Sequence, residues 1–185
     1  MRRCLLAALL ALAGCGAPRP YAALPRDAVA GVGDPTRAAV IGTAYAFAGH
    51  PAGPDAARAA AEVEYLATEI PGGPRWIDFN PTIALGLEDA RTELHQVLGI
   101  APDAPPQAVV DGLFAASRAM RQGDAAAARA ALAAPVFPDG ALTLQRLDRL
   151  PDLPRTRSAT ALAERELYRV EQDNQVSSGG DGAKL

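Results

Sequence analysis

Lysine is almost missing from this chain: 17 of its 18 basic residues are arginine, and Lys184 is the single lysine. Against 21 acidic residues this leaves a formal net charge of -3, with no basic excess of the kind that tracks a nucleic-acid backbone. Aromatic residues are 5% of the total, too few for a sheet stitched together by large cross-strand rings. The longest apolar run, Leu5 to Ala13, has nine residues, about half of what a helix needs to cross a bilayer. Cysteine occurs only at positions 4 and 15, which excludes a disulfide framework. With two histidines, His50 and His95, the chain is also too poor in ligands for an ordinary zinc site. It carries no Gly-x-Ser-x-Gly elbow, no phosphate-cradling loop and no dinucleotide fingerprint, so no cofactor is expected.

Alanine fills the space these absences leave. The chain holds 42 alanines, and alanine has the best helix propensity with the least apolar area to bury. Together with Arg, Gly and Pro, it forms the bias that a GC-rich coding sequence produces. Helix start and stop signals recur along the chain. Asp34-Pro35 opens a helix that Gly49 stops, and Pro54 opens one that Pro71-Gly72-Gly73 ends. Asn80-Pro81 to Gly99, Pro105-Pro106 to Gly123 and Asp124 to Pro135 frame three more. A weaker segment follows at 139–150, then one from 158 with Ser158 as its cap. No stretch alternates as a strand would. The pattern predicts an all-α protein, an irregular bundle of five to seven short helices. The segment opened by Asp34 is apolar nearly all round (Val40, Ile41, Ala44, Tyr45, Phe47) and is expected in the middle of the bundle.

The amino terminus is more specific. Arg2 and Arg3 precede the nine-residue run, and Leu12-Ala13-Gly14-Cys15 closes it. The arrangement resembles the signal peptide and lipobox of bacterial lipoproteins, with all four box positions matching. The resemblance implies a diacylglyceryl group on the Cys15 sulfur, cleavage between Gly14 and Cys15, and acylation of the new amino terminus. Three acyl chains, at about 0.8 kcal/mol per buried methylene, hold a membrane far better than one. By the family's sorting rule Gly16, where Asp is absent, implies the outer membrane facing the periplasm. Loss of Arg2 and Arg3 would leave 16 basic against 21 acidic residues, a net of -5, so the lipid and not surface charge would do the anchoring. The expected organisation is a signal peptide at 1–14 and a lipidated flexible tether at 15–34. A helical domain at 35–175 and a disordered tail at 176–185 complete it.

Candidate functional residues are few. Residues 72–81, GGPRWIDFNP, gather Arg75, Trp76, Asp78 and Phe79 between two helices, and Trp and Arg are residues that anchor interfaces. If any surface of the chain meets a protein partner in the envelope, it is expected to include this stretch. The competing account makes Trp76 and Phe79 a plug where two helices diverge, with Asn80 capping the next. Glu88, Arg91 and His95 share one helix face at spacings of three, four and seven. They read as ordinary surface pairs, or, if the protein is an enzyme, as its catalytic group. His50, just after a helix stop, reads as a residue favoured by the carbonyl end of that helix. Residues 121–132, with Gly123-Asp124, Ala128 and Leu132, resemble the turn and second helix of a tetratricopeptide repeat, and Ala116 matches upstream. Pro135 departs from that pattern and no second copy lies 34 residues away, so the resemblance implies a helix hairpin. The sequence thus supports a non-enzymatic lipid-anchored binding or accessory module first, and a repeat-like scaffold or an enzyme as alternatives.

Overall fold

The computed structural model describes residues 21–28, 33–73, 76 and 78–179. It is all-α: seven helices and no strand among the described residues. They are α1 (Pro35–Ala48), α2 (Gly53–Gly72), α3 (Pro81–Leu98), α4 (Pro106–Arg121), α5 (Ala125–Ala131), α6 (Gly140–Asp148) and α7 (Pro154–Gly179). Local chemistry sets most of the boundaries. The carboxylate of Asp34 accepts from the Thr36 and Arg37 amides. Asn80, Asp124 and Asp139 cap α3, α5 and α6 in the same way. Gly99 stops α3 at a φ of 72°, where an L side chain would be strained.

The middle of the bundle is α2, not α1. Helix α2 packs against α1, α3, α4 and α6, and 13 of its 20 residues are buried. Six of those are alanines (56, 57, 59, 60, 61 and 67), whose small side chains let four neighbours approach one helix closely. Helix α1 packs mainly on α2 and α7, and its Tyr45 stands 84% exposed despite the apolar sequence around it. The apolar stripes of α2 and α3 face the core: Val63, Leu66, Ile83, Leu87, Leu94 and Leu98 are buried, while Val97 is half-buried. Helices α4 and α5 form the expected hairpin, with Ala116, Ala128 and Leu132 inside it.

Three boundaries differ from the sequence-based expectation, each for a tertiary reason. Helix α7 starts at Pro154, so Ser158 lies within it and caps nothing. The cap comes from another helix: the Glu93 carboxylate of α3 accepts from the Thr156 amide and hydroxyl, both at 2.8 Å. Residues 176–179, expected in the tail, belong to α7. Residues 21–28, expected in the flexible tether, are docked on the domain as a strap. Ala22 and Ala28 are buried, and Tyr21 lies against Gly72, where a Cβ would strike its ring. The Ala22 amide donates to Thr68 Oγ1, and Ala23 exchanges two hydrogen bonds with the Gln107 amide. Arg58 Nη2 donates to the Ala28 carbonyl at 2.5 Å. A chain beginning at residue 29 is therefore expected to melt below one beginning at residue 21, by about 2–4 °C for each kcal/mol that the strap contributes. Equal melting temperatures would show that the strap adds nothing.

Candidate functional site

Most of the described residues singled out from the sequence fall in two places, the 76–80 stretch and the α2–α3 interface. Trp76 is 8% exposed and meets the buried Phe79 edge to face, with ring centroids 4.9 Å apart and an interplanar angle of 89°. Asp78 between them is exposed, and Arg75 lies outside the described residues. Helix α7 clamps the end of this stretch. Glu166 accepts from the Asn80 amide at 2.8 Å, and Arg169 donates to the Asp78 carbonyl at 2.9 Å. Hydrogen bonding from Arg169 also holds the Glu166 carboxyl below its ordinary range. The two rings thus occupy the gap between α2 and α3, and among the described residues of this group Asp78 faces solvent. Cys15, the expected lipidation site, lies outside the described residues.

Arg91 and His95 do not pair with Glu88 on the surface of α3. Both reach across to α2, where Glu64 is only 2% exposed. Arg91 Nε donates to Glu64 Oε1 at 2.8 Å, and His95 Nε2 lies 2.7 Å from Oε2. Both carboxylate oxygens are thereby occupied, and the three side chains tie two helices together across their interface. Glu88 remains exposed.

A different part of the molecule offers room for a ligand. Between α1 and the first half of α2 lies an open cleft of about 680 Å³, lined mainly by carbon and bordered by Gly42, Tyr45, His50, Arg58, Ala59 and Glu62. Such a volume suits a small molecule. Glu62 is 5% exposed, and its Oε1 accepts from Arg58 Nε at 2.8 Å, one helical turn back. Burial pushes its carboxyl above the ordinary range, against the opposing pull of Arg58. A group whose folded pKa is raised stabilises the fold only when protonated, and that contribution is lost as pH rises through its folded value. Charge on Glu62 therefore costs stability, so Glu62→Gln is expected to fold at least as firmly. His50, at the mouth, is the one described residue other than glycine with a positive φ, 37°. Side-chain-bearing residues are held there only by their surroundings, and such strain gathers at functional sites.

Neither Glu62 nor Glu64 stood out in the sequence, although a signal was present. Two residues apart on a helix they point to opposite faces, so a helix buried on most sides cannot send both to water. Among the described residues no group of three or more His, Cys, Asp or Glu converges as a metal site would, and no helix is long and apolar enough to cross a membrane. Comparison with protein-family models, with curated proteins and with solved structures yields no match.

Proposed function

We propose that this protein is a lipid-anchored lipoprotein of the bacterial cell envelope, held by Cys15 in the outer membrane and facing the periplasm. Its helical domain serves as a binding or accessory module and not as an enzyme. The observation that carries this reading is Leu12-Ala13-Gly14-Cys15 directly after two arginines and a nine-residue apolar run. The strap adds to how the domain is displayed. Six peptide steps separate Cys15 from Tyr21, a reach of about 20 Å at full extension. A tether running free to residue 34 would reach roughly 60 Å. With Tyr21 against Gly72 and Ala23 on Gln107, the end of α2 and the start of α4 are the parts of the domain nearest the anchor.

The test is metabolic labelling with an alkyne fatty acid, read with the mass of the amino-terminal peptide. The wild-type chain is expected to take the label, begin at Cys15 and stay with membranes through a high-salt wash. Cys15→Ser is expected to take no label and to keep residues 1–14. Label on the Cys15→Ser chain, or an unmodified Cys15 in the wild type, overturns the proposal.

A further inference from the structure

We propose that the cleft between α1 and α2 binds a small organic amine, with the ammonium on Glu62 Oε2 and an apolar body along the walls. This rests on the reading of the domain as a binding module, and it does not depend on the lipid anchor.

The polar groups around the cleft select the charge of the ligand. Arg58 is engaged twice, through Nε on Glu62 and Nη2 on the Ala28 carbonyl. Arg121 donates to Asp55 at 2.6 Å. Both arginines at the cleft are therefore already engaged. Glu62 differs: Oε1 takes the Arg58 bond, while Oε2 accepts no hydrogen bond among the described residues, in a side chain 7% exposed. Oε2 stays open because position 42 is glycine, since a Cβ there would sit 3.3 Å from that oxygen. A buried carboxylate short of donors is costly, and a charged donor relieves that cost better than a neutral one. A carboxylate or phosphate ligand would instead be placed against Glu62. Ala59 and the open face at Gly42 present carbon to the body of the ligand, and Tyr45, on the wall and 84% exposed, can offer its ring to a cation.

The experiment titrates the full isotope-labelled chain, in phosphatidylcholine nanodiscs, with benzylamine, benzyl alcohol and phenylacetate. The amide resonances of Gly42 and Gly49 are followed. Benzylamine is expected to shift them saturably, benzyl alcohol to bind at least about tenfold more weakly, and phenylacetate to leave them unmoved. Glu62→Gln, which keeps the shape and an acceptor for Arg58, is expected to lower amine affinity at least about tenfold and leave the alcohol unchanged. Gly42→Ala is expected to weaken the amine by crowding Oε2. Equal binding of amine and alcohol, or an amine affinity unaltered by Glu62→Gln, overturns the amine assignment and leaves a binding cleft. No shift with any probe overturns the inference and removes the cleft from the binding reading as well. Membrane retention of the same chain is measured separately, so the anchor can fail or stand alone.

Discussion

Replacing Arg91 and His95 together by Met and Leu is expected to cost about 3–5 kcal/mol, and adding Glu64→Leu to that double variant is expected to restore most of it. The reasoning lies in which partner is buried. Glu64 is 2% exposed and has both oxygens bonded, one by each partner. With Met and Leu in place the volume is largely kept, but a carboxylate is left in the interface between α2 and α3 with no donor. Removing that carboxylate as well converts the site to packed carbon, which buried ion pairs often tolerate. Glu64→Ala alone is expected to cost less than the double variant, because the Arg91 side chain is already partly exposed and can turn to water. Urea unfolding of the four chains measures the set. A triple variant no more stable than the double one would show that Glu64 is not the group whose burial matters.

Trp76→Ala is expected to be the most damaging single truncation near the 72–81 stretch, at about 3–5 kcal/mol. At about 2–4 °C per kcal/mol this lowers the melting temperature by roughly 6–20 °C. The ring is buried and meets Phe79 edge to face, so its removal takes away a large packed side chain. A cycle with Phe79→Ala is expected to give a coupling of about 0.5–1.5 kcal/mol. The same set of variants addresses the partner contact that the sequence raised for this stretch. Asp78 is exposed, so Asp78→Ala is expected to leave the melting temperature unchanged. If this stretch touches an envelope partner, Asp78→Ala chains crosslinked in their own membranes will recover less of it. Full recovery with Asp78→Ala, beside an unfolded Trp76→Ala, would leave these residues a packing role alone.

The fold class and nearly every helix boundary follow from residues that act on their immediate neighbours. Asp34, Asn80, Asp124 and Asp139 cap helices within three residues of themselves, and Gly99 ends one at its own φ. Local chemistry of this kind is legible from a string of letters. The proposed lipid anchor at Cys15 likewise rests on consecutive residues read as a peptide and not on any fold. The absence of lysine excess, of thiols beyond position 15 and of long apolar runs bounds the protein in the same way.

Which helix lies in the middle was decided elsewhere. Helix α1 has the more apolar sequence, yet α2, with two buried glutamates and an arginine, is packed on most sides. Six small alanines let neighbours approach α2 closely, and its buried carboxylates then need donors, which Arg58 of α2 itself supplies for Glu62 and another helix supplies for Glu64. Arg91 and His95 of α3 do so for Glu64, from 27 and 31 residues away. The start of α7 depends on Glu93, 63 residues before Thr156. The strap at 21–28 depends on Thr68 and Gln107. Local propensity reports what a residue does to its own turn of chain. A buried carboxylate, a borrowed cap and an open cleft depend on what arrives from far along the sequence, and only the packed structure brings those partners together.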